Sequence, residues 1–200
     1  MATVLVLASR NRHKCEELRQ LLKGLPVDLK LLSDYPGAPD VEEDGETFAE
    51  NAIKKARAAA EFTGEWSLAD DSGLVVDALG GAPGVHSARF AGEPRSDARN
   101  NQKLLRLLEG VPAERRTARF KAVIALAGPH GELDVVEGTA EGRVIEELRG
   151  AGGFGYDPLF LFPELGRTMA ELSPAEKNEL SHRGLAVKAL LGRLEERFGA

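Results

Sequence analysis

A single cysteine, Cys15, stands in a chain of 200 residues. That excludes an internal disulfide framework and a multi-cysteine zinc site, and it fits a reducing compartment. No apolar run is long enough to span a bilayer, and Met1-Ala2-Thr3 passes straight into Val4-Leu5-Val6-Leu7 without the basic stretch of a secretory signal. A cytoplasmic protein with no membrane attachment is expected. Positive charge is in deficit too: 26 lysines and arginines face 32 aspartates and glutamates, a net charge of -6. Non-specific nucleic-acid affinity comes largely from neutralising phosphates with a basic surface, so no nucleic-acid partner is expected and any local basic cluster should serve a small anion. Internal repeats and low-complexity tracts are absent. With 42% hydrophobic residues, a chain of this length buries roughly 70% of its unfolded surface, so neither metal nor disulfide is needed for folding.

The most informative stretch is Ala69-Asp70-Asp71-Ser72-Gly73. Two adjacent carboxylates lie between an apolar approach, Trp66 to Ala69, and a β-branched exit, Leu74 to Leu79, which predicts a hairpin whose turn is Ser72-Gly73. Strand side chains alternate between faces, so only one of the pair can face a given site in an extended segment. Asp71, nearer the turn, is the one expected at the chemistry. A second set of acids, Asp40, Glu42, Glu43, Asp44 and Glu46, precedes a helix announced by Thr47 as N-cap and Glu50 as its capping-box partner. Hard cations such as Mg²⁺ are bound by one or two carboxylates together with substrate phosphates, and either Glu42 or Glu43 can join Asp71 in that task. The helix, Phe48 to about Phe62, turns an alanine-rich face to the core and carries Lys54, Lys55 and Arg57, any of which could reach back to a phosphate.

Cationic loops supply the other half of an anion site. An apolar strand over residues 3–8 runs into Ser9-Arg10-Asn11-Arg12-His13-Lys14 and then a helix from Cys15. A helix N-terminus offers unpaired N–H groups, so this loop is placed to hold phosphate, although it lacks the glycines of a P-loop. Further on, Gly80 to Phe90 is rich in turn formers and reads as a shaped loop, with the role of His86 open. Ser96 caps a helix to about Glu109, and Thr117 to Ala127 and Glu132 to Thr139 read as two long strands, the second extending towards Ile145.

Gly152-Gly153-Phe154-Gly155-Tyr156-Asp157-Pro158 combines glycines that let backbone approach a ligand with two aromatics that offer a stacking surface, and Asp157 is an acceptor for a ring N–H. Ser173-Pro174-Ala175-Glu176 starts a helix and sets Lys177 one turn in. Ser181-His182-Arg183-Gly184 either continues it or begins another, bringing several donors to one region.

Taken together, five stretches resemble one family in order and spacing: Ser9 to Lys14; Glu42-Glu43 with Thr47-Phe48 and Glu50-Asn51-Ala52; Ala69 to Gly73 with Gly80 to Gly84; Gly152 to Pro158; and Glu176-Lys177 with Ser181 to Gly184. That family is the inosine triphosphate pyrophosphatases. The resemblance implies an α/β fold, a long mixed sheet with flanking helices forming two lobes around a central cleft, with residues 1–200 as one catalytic domain. It implies a homodimer and Mg²⁺-dependent hydrolysis of non-standard purine nucleoside triphosphates (ITP, dITP, XTP) to the nucleoside monophosphate and pyrophosphate. Carried onto this sequence, Ser9, Arg10, Asn11, Arg12, His13 and Lys14 resemble the phosphate loop, and Glu42 and Asp71 the metal ligands. Asp71 also resembles the residue that activates water. Ser72, Phe154, Gly155, Tyr156, Asp157, Lys177, His182 and Arg183 resemble substrate contacts, with His182 and Arg183 directed at a 6-oxo group, and Lys55 matches a lysine near the phosphates.

Three rivals remain in view. A related pyrophosphatase for modified pyrimidine or methylated nucleotides would share the phosphate chemistry but not the base-pocket residues. A nucleotide sensor without turnover needs the basic loops but not the acid pair. Ser72, His182 and Asp157 make a paper triad with no nucleophile-elbow spacing.

Overall fold

The computed structural model describes residues 3–199. Seven strands, β1 (Thr3–Leu7), β2 (Val27–Leu31), β3 (Trp66–Val76), β4 (Thr117–Ala127), β5 (Leu133–Val144), β6 (Phe160–Phe162) and β7 (Arg167–Thr168), form one sheet in the order β2-β1-β3-β4-β5-β6-β7. The sheet is mixed: β1 runs parallel to both β2 and β3, whereas β5, β6 and β7 pair antiparallel. The helices are α1 (Arg12–Leu21), α2 (Phe48–Thr63), α3 (Asp97–Leu107), α4 (Pro174–Leu180) and α5 (His182–Phe198). The α/β expectation holds. The chain divides into two compact units, one made of residues 1–71, 122–138 and 183–200, the other of 72–121 and 139–182. Strands β3, β4 and β5 are long enough to contribute to both.

In the first unit the strands alternate between two cores. Leu5, Leu7, Leu68, Ile124 and Leu126 turn to one face, where Leu18 and Leu22 of the α1 segment and Ala186, Val187, Leu190 and Leu194 of α5 cover them. Val6, Ala8, Ala69, Val123, Ala125 and Ala127 turn to the other, where Ala52, Ala56, Ala59 and Ala60 of α2 pack closely because alanine keeps the helix near the sheet. Each fully buried leucine contributes roughly 1.5–3 kcal/mol, more than any one cap, so the faces are fixed by burial and the helix ends by capping. Thr47 and Glu50 form the expected capping box on α2, and Gly64 closes it in the left-handed conformation at φ 72°. The first helix begins earlier than its apolar periodicity predicts. Asn11 is its N-cap and accepts from the Lys14 N–H at 3.2 Å, which draws Arg12, His13 and Lys14 into the first turn.

In the second unit Leu74 and Val76 of β3, Phe120 of β4, Val144 of β5 and Phe160 of β6 form a core closed by Leu104 of α3 and by Leu108. Ser96 caps α3 as expected. Ser173, Pro174 and Glu176 start α4 with a full capping box, and Ser181 then separates it from α5, settling that a second helix begins at His182. The Gly80–Phe90 stretch is more regular than its glycines suggested, containing a short 3₁₀ helix over Gly84–Arg89.

One expectation is corrected. Ser72-Gly73 is not a turn: β3 runs unbroken from Trp66 to Val76. Gly73 is there for close approach, since a Cβ at this position would lie 2.4 Å from Ser87 Oγ and 2.6 Å from the Gly84 carbonyl oxygen. Ser87 Oγ in turn accepts from the Leu74 N–H at 2.9 Å, pinning the 3₁₀ segment to the strand. Gly73→Ala should therefore destabilise the fold by about 1–3 kcal/mol, read by urea unfolding; an unchanged midpoint would show that the strand yields without loss.

Candidate active site

Because β3 is extended through Asp70 and Asp71, alternation sends the two carboxylates to opposite faces of the first unit. Asp70 shares its face with Leu68 and meets α1 and α5, while Asp71 shares its face with Ala69 and meets α2. Asp70 is completely buried. Lys14 Nζ lies 2.5 Å from its Oδ1, Arg183 Nε lies 3.2 Å from its Oδ2, and the Arg183 guanidinium also bonds Glu17 of α1. Lys14, Arg183, Asp70 and Glu17 are thus joined in one ion-pair network. Burial alone would raise the Asp70 carboxyl, but Arg183 and Lys14 outweigh it and hold the group well below the carboxylate range.

Asp71 has the opposite environment. Its carboxylate accepts from Asn51 Nδ2 at 3.3 Å and from Lys55 Nζ at 3.2 Å, and the same ammonium bonds Glu43 at 2.6 Å and the Asp70 carbonyl oxygen at 2.9 Å. One lysine is shared between two carboxylates. Burial raises the Asp71 carboxyl, Lys55 and Lys14 lower it, and the repulsion of Glu43 and Asp70 leaves it above its ordinary value. The Lys55 ammonium is itself pushed up: burial lowers it, but Asp71 and Glu43 more than compensate. Neighbouring carboxyls are thus driven in opposite directions, Asp70 down by its two cations and Asp71 up by burial and like charge.

Asp71 and Glu43 are carboxylate donors of the kind that bind a hard cation together with phosphate oxygens. Among the described residues no three acidic, histidine or cysteine side chains are already gathered as a metal cage. The structure brings Glu43 to the Asp71 cluster through Lys55, while Glu42 is exposed. Of the phosphate loop, Asn11 caps α1 and Lys14 turns inward to Asp70, whereas Arg10 forms a surface pair with Asp40 at 3.2 Å and Arg12 and His13 are exposed. Ser9 Oγ accepts from the Asn11 N–H at 3.2 Å and so shapes that turn.

The second unit holds the base-loop residues. Asp157, buried, accepts from the Phe154 N–H at 3.0 Å and from Lys177 Nζ at 2.7 Å, and that ammonium lies 5.0 Å from the centre of the Phe154 ring. Of the two aromatics expected to stack, Phe154 is half-buried. Tyr156 is not, because its ring joins the core and its hydroxyl donates to the Ser87 carbonyl at 2.8 Å. His182 is buried with its ring stacked on Phe120 at 4.7 Å. Ser72, half-buried, follows Asp71 directly on β3. His182 and Arg183 were expected to point together at a base; instead the first turn of α5 sends His182 to Phe120 and Arg183 to carboxylates in the first unit. His182 and Arg183 are successive residues of α5, separated by about 100° around its axis, so they face different neighbours.

Comparison with known proteins follows this geometry. A model of the Ham1 family matches residues 5–193. A dITP/XTP pyrophosphatase of Desulforamulus reducens is 61% identical over 184 residues, covering 92% of this chain and 92% of that protein. A dITP/XTP pyrophosphatase of Geobacillus kaustophilus is 55% identical over 195 residues, covering 98% of this chain and 96% of its own length. The solved structure of a Ham1 protein from Coxiella burnetii superposes with a TM-score of 0.89 at 46% identity, covering 97% of this chain and 99% of that one.

Asp70→Asn leaves Lys14 and Arg183 without their shared charge and should destabilise the protein by about 3–5 kcal/mol. The folded carboxyl titrates below its unfolded value of about 3.9, so this stabilisation is complete above that pH and is lost as the solution is acidified below it. Unfolding followed from pH 7 to pH 2 should show a steeper acid loss for the wild type than for the variant; parallel curves would rule out Asp70 as the source.

Proposed function

The chain belongs to the Ham1 family, and from that premise we propose that it hydrolyses ITP, dITP and XTP to the nucleoside monophosphate and pyrophosphate, clearing non-standard purines from the cytoplasmic nucleotide pool. The observation that carries this reading is the divided aspartate pair: one carboxylate neutralised by two cations, its neighbour buried beside Lys55 and held above its ordinary titration range.

Water attacks phosphorus, the anhydride bond between the α and β phosphoryl groups breaks, and the proton of the water passes to Asp71. Lys55, beside Asp71, offsets the negative charge of the triphosphate and of the departing pyrophosphate. The α1 N-terminus, shaped by Ser9 and Asn11, adds N–H donors to the phosphates. Asp71 with Glu42 or Glu43 would hold Mg²⁺, which when bound would supply charge screening of the triphosphate and acidification of water. Residues 1–200 act as one catalytic domain and assemble as a homodimer.

Base choice rests on Phe154 as the stacking ring and on Lys177 as a donor braced by Asp157. A lysine ammonium only donates. It suits the 6-oxo group of hypoxanthine or xanthine, whereas the 6-amino group of adenine would oppose donor to donor, a mismatch able to discriminate by roughly 10⁴-fold. Ser72, next to Asp71 on β3, is a further substrate contact in this reading. Arg183 enters differently from the expectation above: with its guanidinium on Asp70 and Glu17, it positions Lys14 rather than the base.

The test is incubation with ITP, dITP, XTP, GTP and ATP, with and without Mg²⁺, followed by phosphorus NMR. Pyrophosphate from ITP and XTP, and little turnover of ATP, is expected; release of orthophosphate alone would overturn the assignment. Asp71→Asn should lower kcat by at least about 10²-fold while ITP binding by calorimetry persists. Retained turnover would remove Asp71 from the chemistry.

A further inference from the structure

Helix α3 carries two asparagines, Asn100 and Asn101, on the face that also buries Leu104 and Leu108. Amides on a core face are accounted for by what they hold. Asn100 accepts from the Ala91 N–H at 2.8 Å and donates to the carbonyls of Ser87 and Ala88 at 3.3 and 3.1 Å. Asn101 donates from Nδ2 to the Gly155 carbonyl at 2.9 Å, and the Gly155 N–H donates to the Asp97 carboxylate at 2.7 Å. Asp97 and Asn101 are one helical turn apart, so a single face of α3 grips both polar groups of one peptide residue. That residue is Gly155, left-handed at φ 61°, between the stacking Phe154 and buried Tyr156.

A second observation sharpens the point. Asn101 Oδ1 is buried and has no hydrogen-bond partner among the described residues. The amide cannot be turned to relieve it, because its oxygen would then oppose the Gly155 carbonyl oxygen. A leucine at this position would match its neighbours Leu104 and Leu108 and remove the orphaned Oδ1, leaving only the Gly155 carbonyl without its donor. Asparagine is therefore explained by its hold on Gly155.

We infer that Asp97 and Asn101 are positioning residues for base recognition: they clamp Gly155 so that Phe154 and the Asp157–Lys177 pair present a fixed surface to the purine. This rests on the reading of Phe154 to Asp157 as the base loop. The clamp acts on the base and not on the phosphates, and that separates it from a general contribution to folding.

The experiment uses Asn101→Leu, Asp97→Ala and Asp97→Asn in the full chain. Asn101→Leu and Asp97→Ala should raise KM for ITP about fivefold, narrow the ITP-to-ATP ratio of kcat/KM and leave kcat little changed. Inhibition by inorganic tripolyphosphate, which has no base, should be unaltered. Asp97→Asn should restore KM, since an amide oxygen still accepts from the Gly155 N–H. Hydrogen exchange should quicken over residues 154–157 in the first two variants and not in the third. Unchanged KM and selectivity would overturn the inference, as would tripolyphosphate inhibition weakening in step with KM. A wild type that leaves ITP intact would instead sink the functional reading, and unchanged exchange at 154–157 in Asn101→Leu would then still refute the clamp on its own.

Discussion

The period of an extended strand is the constraint on which this molecule depends. Two adjacent aspartates in β3 cannot share a face, so each is delivered into a different environment within a single peptide unit. The face of Asp70 is closed by α1 and α5, which bring Lys14, Arg183 and Glu17; the face of Asp71 is closed by α2, which brings Asn51 and Lys55. Two residues of one type thereby acquire opposite proton affinities without any difference in covalent chemistry.

Energetics explains why the arrangement is asymmetric. Withdrawing Asp70 and Arg183 from water is costly, and their attraction offsets this only because Lys14 and Glu17 complete the pairing. The network anchors α1 and α5 to the strand by charge where the leucines below anchor them by burial. Asp71 shares one lysine with Glu43 and is repelled by it, so its ionised form is a cost to the folded protein. A site poised in this way contributes less to stability than it would if fully paired.

Much of this was legible from local pattern. The capping boxes at Thr47 and Ser173, the N-cap at Ser96 and the lengths of β4 and β5 follow from short-range chemistry, and the structure reproduces them. Family resemblance, carried by five ordered motifs, supplied the α/β class and the type of reaction. What escaped was decided by partners distant in sequence. Gly73 looked like a turn glycine because Ser87, the residue that crowds it, cannot be located from sequence. Tyr156 looked like a stacking ring because its hydroxyl partner is the Ser87 carbonyl. Arg183 looked like a base donor because Asp70, 113 positions away, was not recognised as its acceptor. Asn101 sits in a helix that the sequence marks only by its Ser96 cap, and the one available signal is an amide at a spacing otherwise filled by leucine.

The unbroken path of β3 also limits how this protein can evolve. Inserting or deleting one residue between Trp66 and Asp70 would rotate every later side chain to the other face, delivering Asp70 to Lys55 and Asp71 to Arg183. Substitutions can be absorbed one at a time along this strand, but a change in its length would exchange the two carboxylates in one step, with no serviceable intermediate. The distance in sequence from Trp66 to the aspartate pair is therefore a fixed requirement of this arrangement.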